Sequence, residues 1–160
     1  MKWWTVFGLL VVALYTTDAQ ARLFARFWAS NGGVSRIHVP DAERVVDPAP
    51  VYDVEKRLLE RINQERARYG LRALILDPVL HMRSRIFCGY MARRALAIAH
   101  SDDPSAENVA LGQSSADEAV NTWMNSPGHR ANILNPNYSI TGISAYSGPN
   151  GNTFWCQQFD

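Results

Sequence analysis

Apolar positions recur along this chain at two different periods. From Tyr52 onward, Val54, Leu58, Ile62 and Tyr69 fall at helical spacing, and Leu59 widens the stripe. Asp53 reads as the N-cap of this first helix, Glu55 lies near the positive end of its dipole, and Gly70 closes it. A short connection from Leu71 to Leu76 leads to Asp77-Pro78, an N-cap followed by proline at the first helical position. Leu80, Ser84, Phe87, Cys88, Met91, Ala95 and Ile98 then mark the buried stripe of a second helix, with Arg83, Arg85, Arg93 and Arg94 on its solvated side. A third helix opens at Ser115 and Glu118, three residues apart as in a capping box, and buries Ala119, Val120, Trp123 and Met124. It ends at Ser126-Pro127-Gly128, and His129 follows in a short turn that leads to Pro136.

Beyond Pro136 the period shortens to that of a strand. Apolar and small residues alternate from Ser139 to Tyr146, and Gly148-Pro149-Asn150-Gly151-Asn152 is a turn cluster. Thr153 to Phe159 reads as a second strand rich in aromatics, and Glu107 to Ala110 as an earlier one. The pattern predicts an α/β domain over residues 52–160: a three-layer α-β-α sandwich with a small mixed or antiparallel sheet and a C-terminal hairpin at its centre.

Upstream the pattern changes. Lys2 precedes an apolar run of 13 residues, Trp3 to Tyr15, short of the ~20 that span a bilayer. Ala19-Gln20-Ala21 supplies a small-x-small cleavage pattern, so residues 1–21 read as a signal peptide, with an uncleaved anchor as the alternative. No stable transmembrane span is expected after cleavage, and the domain is expected to be secreted or extracytoplasmic. Residues 22–51, with Asn31-Gly32-Gly33, Pro40, Pro48 and Pro50, read as a linker in which His38 is a solvated loop residue. Within it Leu23, Phe24, Phe27 and Trp28 interleave with arginines, as in a short interfacial helix, although an apolar linker explains them too.

Composition adds exclusions. The 160 residues carry a net charge of +1, with 19% charged and 47% hydrophobic residues. Charge alone therefore favours neither nucleic acid nor an anionic membrane as partner. Cys88 lies on the second helix and Cys156 on the last strand. An even count in an oxidising compartment favours a disulfide between them, which by loop entropy contributes roughly 4 kcal/mol; two buried free thiols are the alternative.

The candidate chemistry lies in His100-Ser101, Glu107-Asn108 and His129. Two neutral imidazoles can ligate Zn²⁺ or another divalent cation, and a carboxylate can complete the set or polarise bound water. The same three residues can equally form a hydrogen-bonded cluster that pins loops together. His81, near the start of the second helix, reads as a surface histidine rather than a ligand. Asn63 and Arg66 read as structural ties from the first helix to a neighbouring loop, and Glu118 as a cap rather than a catalyst.

Asn63-x-x-Arg66, Leu76-Asp77-Pro78, His100-Ser101, Glu107-Asn108, Trp123 through Pro136 and Phe154 through Phe159 together resemble the CAP family in its compact bacterial form. CAP stands for cysteine-rich secretory proteins, antigen 5 and pathogenesis-related 1. The resemblance covers residues 52–160 and implies the sandwich fold and a cleft in which His100, Glu107 and His129 meet. It also exposes two departures. Ala106 stands where the family has glycine, and Ser126 where larger relatives carry a second glutamate, which puts a four-residue acid–base scheme in doubt. The resemblance permits a secreted module that binds a small molecule, lipid or cell-envelope component. A weak metal-assisted or acid–base hydrolase, with His129 or Glu107 as base, and a structural domain with a vestigial cleft are the alternatives.

Overall fold

The structure is a computed structural model that describes residues 36–37, 52–94, 98–102 and 105–160. The signal-peptide reading of 1–21, the loop reading of His38, Ala95 and all of the 22–51 segment except Arg36–Ile37 lie outside the described residues. Helix α1 (Asp53–Arg68) starts one residue earlier than its caps suggest. Tyr52 is the N-cap, and its backbone N–H donates to the Glu55 carboxylate at 3.0 Å. Asp53 instead pairs with Lys56 on the surface at 3.0 Å. Leu58 and Ile62 are buried as expected, whereas Val54 and Tyr69 are exposed. Tyr69 lies past the last helical residue, where its hydroxyl accepts from Arg130 at 2.7 Å and its ring lies under the same guanidinium.

Helix α2 (Pro78–Arg93) begins as its sequence predicts: the Asp77 carboxylate accepts from the backbone N–H of Val79 and Leu80. Helix α3 (Ala116–Met124) has Ser115 as N-cap, accepting from Glu118 N. The Glu118 carboxylate reaches back to Ser114, accepting from its N–H and hydroxyl at 2.8 and 2.7 Å, so this glutamate is engaged in capping. The turn expected after Ser126 is instead another helix, α4 (Pro127–Ile133), with Ser126 as N-cap and Pro127 at its first position. The one proline both ends α3 and starts α4.

Six strands complete the described residues. Strands β2 (Ile75–Leu76), β5 (Ile140–Ser147), β6 (Thr153–Phe159) and β4 (Ala106–Leu111) form a sheet in that spatial order. The β2–β5 pair is parallel; β5–β6 and β6–β4 are antiparallel. The expected hairpin β5–β6 is the centre of the sheet, closed by a turn in which Gly151 adopts φ +75°. Strands β1 (Arg36–Ile37) and β3 (His100–Ser101) pair in parallel as a separate two-stranded ribbon. Arg36 and Ile37, inside the segment read as a linker, thus hold the strand that carries His100.

The period-2 alternation of the strands builds two cores on opposite faces of one sheet. Trp155 and Phe159 of β6, Ile143 of β5 and Ala110 of β4 pack with Leu58, Ile62, Val120, Trp123 and Ile133 from α1, α3 and α4. Phe154 and Cys156 of β6 and Val109 of β4 pack with Phe87, Cys88, Met91 and Ala92 of α2. The result is the α-β-α sandwich. Gly142 lets α2 approach β5 closely, because a Cβ there would lie 2.1 Å from the Leu80 carbonyl and 2.6 Å from His81 N.

Arg66 and Asn63 carry the structural role expected of them. Arg66, 1% exposed, donates to the carbonyls of Arg72, Ile133, Asn135 and Tyr138 at 2.7 to 3.2 Å. Asn63 exchanges two hydrogen bonds with the backbone of Leu74. His81 departs from expectation: it is buried, with Nδ1 2.7 Å from the Ile143 carbonyl. Its Nε2 lies 3.8 Å from the buried Glu55 carboxylate, too far for a hydrogen bond. Burial holds the His81 pKa below its ordinary value against the pull of Glu55.

Candidate functional site

The site is assembled where β3, the start of β4, the end of β6 and helix α4 converge. Glu107 is the second residue of β4 and the cross-strand partner of Gln158 on β6. His100 and Ser101 of β3 face this carboxylate. Four donors surround it. His100 Nδ1 and Ser101 N reach Oε1 at 3.0 Å each, while the Ser101 hydroxyl and Gln158 Nε2 reach Oε2 at 2.8 and 2.9 Å. A carboxylate offers about four lone-pair directions, so Glu107 is saturated. Because His100 Nδ1 faces a carboxylate oxygen it carries a proton, and the lone pair of the neutral ring falls on Nε2.

His129 sits in the first turn of α4 and is buried. Two asparagines fix that helix against the sheet edge. Asn108 donates to the His129 carbonyl at 3.2 Å. Asn132 donates to Asn108 Oδ1 at 3.0 Å and to the Glu107 carbonyl at 3.4 Å. Burial, with a smaller contribution from the charge of His100, lowers the His129 pKa from 6.5 to about 4. The imidazole is therefore neutral at physiological pH, and the influence of His100 marks the two rings as electrostatic neighbours.

The structure thus joins His100 to Glu107 directly, and His129 lies close enough to feel the charge of His100. Ser101 entered the sequence reading only as the neighbour of His100, and Gln158 was not singled out, yet both bind Glu107. The signal available for Gln158 was a pair of amides, Gln157-Gln158, inside an otherwise apolar strand. The two departures from the family pattern also find places. Ala106 is ordinary β-strand backbone opposite Phe159, where no glycine is needed. Ser126 is the N-cap between α3 and α4 and supplies no carboxylate.

Among the described residues, no group of three or more His, Cys, Asp or Glu side chains is arranged to hold a metal ion. In this cluster Glu107 already accepts four hydrogen bonds, so a metal ion there would have to draw its direct ligands from the imidazoles. Glu107 fits the role of the outer carboxylate that orients a metal-binding histidine. Cys88 and Cys156 lie elsewhere, as free buried thiols on the α2 face of the sheet.

Residues 59–159 match the model of the CAP family, described as the cysteine-rich secretory protein family. The uncharacterized protein YkwD of Bacillus subtilis (strain 168) is 32% identical over 128 residues, covering 70% of this chain and 49% of YkwD. The chain therefore spans about half the length of this relative. Two solved structures share the fold. An outer surface protein from Borrelia burgdorferi aligns with a TM-score of 0.58 at 16% identity, covering 69% of this chain and 94% of that one. An extracellular SCP-domain protein from Bacillus anthracis str. Ames aligns with a TM-score of 0.57 at 20% identity, covering 69% and 44%. With the sandwich, the His–Glu cluster and the family match in agreement over the same residues, this chain belongs to the CAP family.

Proposed function

We propose that the chain is an extracytoplasmic binding module whose cleft presents two imidazoles, His100 and His129, to a small ligand or cell-envelope component. The observation that carries this reading is the fourfold hydrogen bonding of Glu107. A carboxylate held by His100, Ser101 and Gln158 orients its neighbours but has no lone pair to spare as general base or nucleophile. His129, with its pKa near 4, is likewise a poor proton acceptor at neutral pH. The pair has the chemistry of a ligand-binding site more than that of a hydrolase. A location outside the cytoplasm is supported by the signal-like N-terminus and by the secretory family to which the chain belongs.

A divalent cation such as Zn²⁺ is the simplest ligand for two imidazoles. His100 and His129 would hold it, and oxygens of solvent or of a bound ligand would complete the coordination. Such an ion would supply Lewis acidity and an anchor for an anionic group. Glu107 would keep His100 in the required tautomer through Nδ1.

Calorimetric titration with Zn²⁺ at pH 7 tests the metal, and pull-down with lipid vesicles and envelope fragments tests larger ligands. Weak Zn²⁺ binding is expected, lost in both His100→Ala and His129→Ala. Unchanged affinity in His129→Ala removes the metal. If neither the ion nor any vesicle or envelope fraction binds, the cluster is structural and the binding reading fails.

A further inference from the structure

Outside the cleft, the densest reactive chemistry lies between α2 and β6. Cys88 and Cys156 are both 0% exposed and share one apolar cluster with Phe87, Met91, Val109 and Phe154. The Cys88 thiol donates to the Phe154 carbonyl at 3.2 Å. One turn earlier on the helix, Ser84 donates to the Cys156 carbonyl at 3.3 Å and is hydrogen-bonded to Ser144 at 2.8 Å. The Ser84–Cys88 turn is thereby registered against the Phe154–Cys156 stretch, which brings both thiols into the same apolar cluster.

We infer that Cys88 and Cys156, free thiols in this structure, close into a folding-coupled disulfide when the chain folds in an oxidising environment, formed while α2 docks on β6 and inaccessible to exchange once the core has packed. Exchange needs a thiolate with access to an external disulfide. Before the core closes both thiols meet that condition. The thiolate of one cysteine attacks an external disulfide, a mixed disulfide forms and one external thiolate leaves. The second cysteine's thiolate then attacks the protein sulfur of the mixed disulfide and displaces the other external thiolate. The protein loses two protons and two electrons, and the external disulfide is reduced to two thiols. In the packed fold neither condition holds. Both sulfurs are out of solvent, and burial, the Cys88 contact and the negative charge of Glu107 push the Cys156 thiol well above its usual pKa. The redox state of the pair therefore records the environment in which the chain folded. It rests on the extracytoplasmic part of the proposed function but not on any ligand at the histidines.

The test uses the full chain, unfolded and reduced, then refolded either with reduced and oxidised glutathione or with reductant alone. Free thiols are counted by alkylation under denaturing conditions and intact mass. Refolding with glutathione is expected to give a monomer with no alkylatable thiol and no adduct. Its melting temperature should exceed that of the reduced form by roughly 10 °C, from the loop-entropy gain of the crosslink. Reduced native protein exposed afterwards to the same oxidised glutathione should keep both thiols, whereas addition of mild denaturant should allow crosslinking. Two alkylatable thiols or an intermolecular dimer after oxidative refolding would overturn the disulfide. Equally fast crosslinking of native and unfolded protein would overturn its coupling to folding. Zn²⁺ or vesicle binding to the histidine cleft is read independently, so failure of one proposal leaves the other standing.

Discussion

His129 shows how one buried imidazole ties stability to pH. Its pKa falls from 6.5 in the unfolded chain to about 4 in the fold. Between these values the unfolded state binds the extra proton, so stability rises with pH across that window. The contribution is present in full above pH 6.5 and is lost as pH falls towards 4. The drop corresponds to roughly 3 kcal/mol. His81, also lowered mainly by burial, acts in the same direction. Urea unfolding at pH 7 and pH 4 should therefore show a smaller loss in His129→Gln than in the wild type, by about that amount, with a residual slope from His81. An unchanged slope would mean that the ring is not held neutral in the fold.

Arg66 is the other residue with a single, measurable duty. Its four carbonyl acceptors come from the loop after α1 and from the segment around the end of α4, so one cation ties three parts of the chain. Arg66→Leu leaves these buried carbonyls without their donor and should cost about 3 to 5 kcal/mol, measured as a shift in the urea midpoint at unchanged slope. This duty was legible in the sequence because Asn63 and Arg66 lie on one helix just before a glycine-ended turn. The burial of His81 was not legible: its partner, the Ile143 carbonyl, lies 62 residues away and appears only when β5 is placed.

At the scale of elements, the sequence spoke clearly wherever a local cap or period decided the outcome. Asp77-Pro78, Ser115 with Glu118, and the glycine-rich turn of the hairpin all act within a few residues, and each element begins or turns where they stand. The break at Ser126-Pro127 was legible as a break. It was not legible as a new start, because the seven residues of α4 carry too few apolar positions to show a period. Tertiary hydrogen bonds from Asn108 and Asn132 hold that helix, and they depend on β4. The candidate site divides in the same way: its two histidines and glutamate stand out by residue type, but Gln158 enters only through the β4–β6 register.

The α2–β5 packing offers the sharpest test of an element contact. A Cβ at Gly142 would overlap the Leu80 carbonyl, which is backbone and cannot rotate aside. Gly142→Ala should therefore force α2 off the sheet and cost more than about 3 kcal/mol, well above the usual penalty for overpacking by one methyl. Circular dichroism melts would report it. A variant as stable as the wild type would show that α2 can slide without loss.

At the scale of the whole molecule, the sheet is a partition. One face supports α1, α3 and α4, the other α2 with the thiols, and the His100–Glu107 cluster lies where β4 forms the sheet's edge. This arrangement explains why a chain with a modest core can carry polar chemistry: Glu107, Asn108, Gln157 and Gln158 are all buried at one end of β4 and β6, and each finds hydrogen-bond partners there. The apolar layers pack the two faces of the sheet, and the buried polar residues gather at this one end.

The pairing of β1 with β3 has a practical consequence for where the working domain begins. Arg36 and Ile37 stand in register with His100 and Ser101, so a protein started at Tyr52, as the hydrophobic pattern alone would suggest, loses the neighbour of its cleft strand. That exposes backbone donors and acceptors beside His100, and open strand edges recruit other chains. Such a shortened protein should exchange the amides of His100 and Ser101 faster than the full chain and self-associate at lower concentration. A version that keeps Val34 onward should do neither, which hydrogen exchange and light scattering can decide. The stretch before the domain would then be part of the fold it seemed only to deliver.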